Sequence, residues 1–251
     1  MSSIKIMQLN CLRGALCWPI WALMQAEQPD ILCFQEVASY PSGDSDYFDF
    51  HQNTMQRFPE YEYHFTPKVT FTFDGNPAAE GLLLASRKPL VDFHTIMLEG
   101  GYPFARPNTP LARFCYPIQF ARVDGTDLWI AQNHGLIDGV NSADKRGTPR
   151  TDAHMQAIID HANTLGGRIV FCGDLNVDGD STTIRLAERH WTNHTAKNNI
   201  TCTRPPSCDL PPHTCDYIFT NQGVNVTRFR MATEPHEVCS DHYALFATVD
   251  V

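Results

Sequence analysis

The feature that most constrains this chain is where its acidic, amide and histidine residues stand. Each falls at a predicted strand end: Asn10 in MQLNCL, Glu36 in DILCFQEV, Glu80 in AAEGLLLASR and His134 in AQNHGL. Asp174 and Asn176 follow in VFCGDLN, then Asp216 in CDYIFT, then Asp241 and His242 in CSDHYAL. Short apolar runs bounded by turn residues read as buried strands. Layered α/β folds expose their chemistry at strand ends, on loops held by a rigid scaffold. The set is spread along the whole chain, so one site must be assembled from all of it. That predicts a single domain over residues 1–251, and a hydrophobic fraction of 43% can supply its core.

Coarse patterning supports a layered fold. Ile4 to Asn10 reads as a strand, Pro19 to Gln28 as a helix and Ile31 to Gln35 as the next strand, giving a β-α-β opening. Tyr61 to Thr66 and Val69 to Phe73 read as a strand pair, with Gly75-Asn76-Pro77 as a turn before a strand over Leu82 to Ser86. Glu99 to Pro110, with Tyr102 and Phe104, reads as a long loop, and Ile137 to Pro149 as a polar one. Arg150 to Leu165 is an amphipathic helix stopped by Gly166-Gly167, and Ser181 is a helix N-cap. The second β-α-β, ending at Asp174, hints at two similar halves.

Carboxylates and amides without cysteine suit a hard divalent cation, Mg²⁺ or Mn²⁺. Histidines beside carboxylates suit proton transfer and charge stabilisation. The combination predicts metal-assisted hydrolysis of a phosphoester. Asn10 can ligate the cation or orient Glu36. Asp174 and Asn176 come from one turn, the first to orient water or assist proton movement, the second to donate to phosphate. Arg113, Arg150, Lys145 and Arg146 are candidate phosphate grips.

The segments QLN, PDILCFQEV, EGLLLASRKPL, NHG, GDLNV, CDYIF and SDHYAL, in this order, resemble the motifs of the endonuclease/exonuclease/phosphatase (DNase-like) superfamily. The resemblance implies a four-layer α/β sandwich, two mixed β-sheets packed face to face with helices outside. It implies Glu36 as metal ligand and Asp241 as a second metal-proximal carboxylate. It implies His242 as the histidine serving in-line attack of water, with Asp216 as its hydrogen-bonding carboxylate. It implies His134 and Glu80 as a second acid–histidine pair. The fold is shared by enzymes with many substrates, so the motifs speak to chemistry and not to substrate.

Charge narrows the partners. Lys+Arg number 19 against 28 Asp+Glu, a formal net charge of −9, with no basic run. Long duplex DNA is therefore disfavoured, and a small or single-stranded phosphodiester is expected. A DNA repair endonuclease or exonuclease is the alternative, and a catalytically silent phosphate-binding protein the different-class reading. The 9 cysteines are an odd number. That count and the absence of a leader or spanning segment predict a cytoplasmic, reducing setting with no membrane association. Cys202, Cys208, Cys215 and Cys239 lack the paired hooks of a zinc site. Oligomeric state is not encoded in any of these features.

Overall fold

In the computed structural model, residues 3–40, 49–73, 76–99, 115–138, 144–208 and 211–251 are described. The opening apolar run forms β1 (Ser3–Asn10), which pairs in parallel with β2 (Ile31–Ser39). Parallel neighbours need a crossover, here α1 (Cys17–Glu27). α1 ends because Gln28 turns left-handed, at φ 45°, and Pro29 follows. The same unit recurs: β7 (Leu128–Asn133) pairs in parallel with β8 (Arg168–Asp174) through α3 (Pro149–Leu165). Thr148 caps α3 by accepting from the Thr151 N–H, and Pro149 opens its first turn.

The other strands are β3 (Glu62–Phe73), β4 (Asn76–Ser86), β5 (Leu90–Met97), β6 (Pro117–Val123), β9 (Thr192–Asn193), β10 (Asp216–Thr220), β11 (Val226–Met231) and β12 (Leu245–Asp250). One six-stranded sheet runs β11-β12-β1-β2-β4-β3, the other β5-β6-β7-β8-β10-β9. In each, a central parallel pair is flanked on both sides by antiparallel strands. The two expected halves are thus one topology used twice.

Three apolar clusters define the layers. Ile6, Cys33, Ala121, Ile130, Cys172 and Val249 meet between the two sheets. The outer face of the first sheet packs Leu9, Phe34 and Leu83 against α1 residues Ile20, Trp21 and Met24 and Phe50 of α2 (Phe50–Arg57). That of the second packs Phe120, Ala131 and Phe171 against α3 residues Met155, Ile158 and Ile159 and Ile184 of α4 (Thr182–Glu188). Helix, sheet, sheet, helix is the expected α/β sandwich. Ser181 caps α4 by accepting from the Ile184 N–H, as its position predicts.

Two local expectations change. The strand pair expected over 61–73 is one strand, β3, and its partner β4 already starts at Asn76. The ladder shifts register between Pro67 and Val69. Proline has no N–H to give a ladder, so it marks a bulge. The short β9 and α5 (His194–Lys197) carry too few residues to show a period. Of the loop expected over Glu99 to Pro110, all but Glu99 lies outside the described residues, Tyr102 and Phe104 included, as does the candidate phosphate grip Arg113. Among the described residues no helix is long and apolar enough to cross a membrane.

Candidate active site

The ends of the four central strands converge. In β2 the ladder shifts between Phe34 and Val37, and Glu36 there takes φ 51°. A left-handed glutamate costs about 1–3 kcal/mol of backbone strain, and a bulge re-aims its side chain. Asn10, at the end of β1, donates from Nδ2 to Glu36 Oε1 at 3.0 Å and to Asp174 Oδ2 at 2.9 Å. Its Oδ1 accepts from the Leu12 N–H at 3.1 Å. Asn10 therefore orients Glu36 and joins the two sheets.

Asp174 ends β8 and is almost fully buried. Its Oδ1 accepts from the Asn176 N–H at 2.9 Å, an Asx turn that sets Asn176 at φ 56°. The Asn176 amide then braces the surroundings. Its Oδ1 accepts from Lys145 Nζ at 2.9 Å, and its Nδ2 donates to the Gly135 carbonyl at 3.3 Å. Position 135 must be glycine: a Cβ would stand 2.3 Å from the Leu175 carbonyl oxygen. The turn that carries Asp174 and the loop that carries His134 are locked together here.

The expected Asp216–His242 pair is present. His242 Nδ1 donates to Asp216 Oδ2 at 2.7 Å, and its Nε2 lies 3.7 Å from Asp174 Oδ2. Asp216 Oδ2 also accepts from Thr203 Oγ1 at 2.6 Å, and its Oδ1 from Gln8 Nε2 at 2.9 Å. Burial alone would lower the His242 pKa, but Asp216 and then Asp174 outweigh it and lift the imidazole to about 10. Burial would likewise raise Asp174. The charged His242, with the Asn10 hydrogen bond, outweighs that and holds it well below the usual carboxylate range.

The facing wall is built differently. Both ring nitrogens of His134 are buried without a hydrogen-bond partner. Its Nε2 stands 3.8 Å from Glu36 Oε1 and 3.7 Å from Asp174 Oδ2. Burial, then Lys68, pushes its pKa far down, so this imidazole is neutral. The expected Glu80–His134 pair does not form. Glu80 Oε2 instead accepts from Arg13 Nε at 2.6 Å, because the turn after β1 carries that guanidinium to it. Glu80 still acts on the site through its charge. Burial and then Glu80 raise the pKa of Glu36.

Lys68 escaped the sequence reading. It is 5% exposed, sits at the β3 bulge and stands 4.9 Å over the Tyr116 ring. Burial lowers its pKa, opposed by Glu36, Glu80 and Asp174 in that order. The signal for it was Pro67-Lys68 interrupting a β-branched run. Two other expectations change. Arg150 is not a free phosphate grip: its Nε and Nη2 donate to Glu99 Oε2 and Oε1 at 2.8 and 2.7 Å. Lys145 is committed to Asn176, while Arg146 is solvent-exposed beside Asp144. Asp241 is half-buried next to His242 and accepts from Ser240 Oγ at 3.1 Å.

A cation fits these donors. Glu36, Glu80 and Asp174 crowd like charges into a buried space and offer only oxygen, which suits a hard divalent ion. Among the described residues, Asp174, Asp216 and His242 also bring ligand atoms within 4.8 Å of one another. Both Asp216 oxygens are already hydrogen-bonded, so that group reads first as a polar network. No cysteine belongs to it.

The fold recurs in other solved structures. No curated protein matches the sequence. An endonuclease/exonuclease/phosphatase from Beutenbergia cavernae is similar at TM-score 0.75 and 16% identity, over 100% of this chain and 72% of that one. The human Nocturnin catalytic domain with bound sulfate is similar at TM-score 0.69 and 20% identity, over 99% of this chain and 93% of that one. Danio rerio (D. rerio) TDP2 with a single-strand DNA product is similar at TM-score 0.70 and 13% identity, over 100% of both chains. At such identities the likeness is one of fold. The sequence profile of the Endonuclease/Exonuclease/phosphatase family matches residues 7–242. That match runs from β1 to His242, and the chain belongs to this family of phosphoric ester hydrolases.

Proposed function

We propose that this chain is a Mg²⁺- or Mn²⁺-dependent phosphodiesterase that hydrolyses a small or single-stranded phosphodiester by in-line attack of water. The observation that carries the reading is the paired, charged His242 facing the bare, neutral His134 across Asp174. Glu36 and Asp241 would hold the cation, with Asn10 keeping Glu36 in place. When bound, the cation would neutralise charge on a phosphate oxygen. His242, charged by Asp216, has a free Nε2–H to offer a phosphate oxygen as negative charge builds. His134 can offer one N–H to another. Asp174, held ionised, is an acceptor that can orient the attacking water and receive its proton. The new P–O bond forms as the ester P–O bond breaks, and the leaving oxygen takes up a proton. Lys68 adds positive charge behind the carboxylates. Glu80 acts through Arg13 and charge, and Arg150 would reach substrate only by leaving Glu99.

The acidic balance, with a net charge of −9, supports a substrate that presents few phosphates beyond the scissile one. The fold shared with TDP2 in its single-strand DNA complex is consistent with a single strand. Among the described residues the cysteines form no disulfide, as suits a cytoplasmic setting.

A hydrolysis screen tests the reading. Nitrophenyl phosphodiesters, phosphomonoesters, single strands and abasic duplexes are offered with Mg²⁺, with Mn²⁺ and with EDTA. Turnover of a diester or a single strand, abolished by EDTA and restored by metal, is expected. Full activity in EDTA would sink it. Tight duplex binding with a salt slope steeper than about −4 would replace it by the repair-nuclease reading.

A further inference from the structure

Four glutamines lie buried in one hydrogen-bonded line across both sheets. Gln8 (β1), Gln35 (β2), Gln132 (β7) and Gln119 (β6) are each 0% exposed. Gln8 Nε2 donates to Asp216 Oδ1 and to Gln35 Oε1, both at 2.9 Å. Gln35 Nε2 donates to Gln132 Oε1 at 3.0 Å and to the Cys33 carbonyl at 3.0 Å. Gln132 Nε2 donates to Gln119 Oε1 at 2.7 Å. Gln119 Nε2 ends the line on the His64 carbonyl and on Thr66 Oγ1, both at 2.8 Å.

A buried amide in an apolar layer costs free energy unless bonded, so four in a row require a reason. The direction of the line is fixed by its ends. An ionised carboxylate and a backbone carbonyl only accept. The line therefore needs donors pointing out at both ends, and one amide must donate in both directions along it and accept from neither neighbour. Gln8 is that amide, and its Oε1 is a buried oxygen with no partner. Had the Gln8 amide turned over, its oxygen would face the Asp216 carboxylate. Gln35, bound in turn by the Cys33 carbonyl and Gln132, prevents that.

We propose that Gln8 is a positioning residue for the Asp216–His242 pair, its amide held as a donor to Asp216 by Gln35, whose own amide is committed to the Cys33 carbonyl and Gln132. Gln8 occupies Asp216 Oδ1, while Thr203 and His242 share Oδ2. The carboxylate is thereby fixed in rotation as well as in place. His242, in the loop before β12, inherits its orientation from strands of both sheets. This rests on the phosphodiesterase reading for its kinetic consequence but not for its geometry.

The test compares Gln8→Met with Gln119→Met, the near and far ends of the line. Gln8→Met is expected to lower kcat roughly 10- to 100-fold with KM within about threefold, the effect of one lost hydrogen bond to a buried charged group. It should also shift the low-field Nδ1 proton resonance of His242. Gln119→Met should lower the melting temperature yet leave that resonance in place and cost kcat at most about threefold. Should Gln8→Met fail to fold, Gln8→Asn keeps an amide one methylene too short and should give the same shift and loss. An unmoved His242 resonance in the Gln8 variant would overturn the proposal, as would equal kcat losses at both ends. If the wild type hydrolyses no phosphoester, the phosphodiesterase reading fails, while the resonance still decides the role of Gln8.

Discussion

The two walls of the cleft lean on the same Asp174 but are built on opposite terms. On the His242 wall, Asp216 spends both carboxylate oxygens on Gln8, Thr203 and His242. On the His134 wall, both ring nitrogens go without a partner, half-buried Glu36 is crowded by the charges of Glu80 and Asp174, and Lys68 is buried. A satisfied network rigidifies, whereas a partly satisfied one is costly. The difference teaches which half is complete in the free protein. The His242 wall is preorganised, and on the proposed reading the His134 wall would be completed by what binds, an anion at His134 and a cation at Glu36. That is the arrangement expected where interactions are to be made in the transition state and not before.

Substitutions can break this contrast. Glu36→Ala should abolish metal-stimulated turnover, a loss of at least about 10³-fold if the cation supplies several kcal/mol. It should also leave the melting temperature unchanged or higher, because it removes the repulsion from Glu80 and Asp174. A metal-stimulated rate in Glu36→Ala equal to wild type would end the assignment. His242→Ala should cut kcat by at least about 10²-fold, the lower range for a positioned acid–base group. Unlike Glu36→Ala, it should destabilise the fold by stranding Asp216. Steady-state kinetics and melting curves on both variants would separate the walls.

Smaller effects sharpen it. His134→Ala should abolish the rise in melting temperature produced by sulfate, with little effect on stability in its absence. Sulfate protection that survives the substitution would show that the bare imidazole is not the anion contact. Thr203→Val removes one donor to Asp216 Oδ2, an oxygen that His242 still holds, and should therefore slow kcat only about threefold to tenfold. An unchanged rate would mean that Gln8 alone orients the carboxylate.

The smallest expectation concerns a histidine outside the cleft, as a control. Burial, then Lys197, lowers the His194 pKa from 6.5 to about 4, and its Nε2 meets Thr220 Oγ1 at 2.8 Å. A depressed histidine contributes stability that is complete above its unfolded pKa. That contribution is lost as pH falls, between about 6.5 and about 4. Denaturation followed against pH should show a slope over that window that His194→Gln reduces. An equal slope in the variant would assign the acid sensitivity elsewhere.

Much of the site was legible because its signals are local. An apolar run ending in a carboxylate announces a strand end, and GDLN announces an Asx turn. Glu80 and Arg150 were misread in partnership, not in place. Nothing near Glu80 reveals that Arg13, far away in sequence, turns onto it. Likewise Glu99 claims Arg150 only once α3 lies beside β5. Lys68 shared the alternation of its strand until Pro67 shifted the ladder.

The sequence by itself determined most of the order of strands and helices, which residues stand at strand ends, and the family. These depend on periods of two and 3.6 and on turn residues, which are properties of neighbours along the chain. Only the tertiary structure decided who meets whom between the sheets. The glutamine line, the bare His134 and the left-handed Glu36 exist because two sheets are packed in one register. Alternation says which face a side chain takes, but register across the layer says what it finds there.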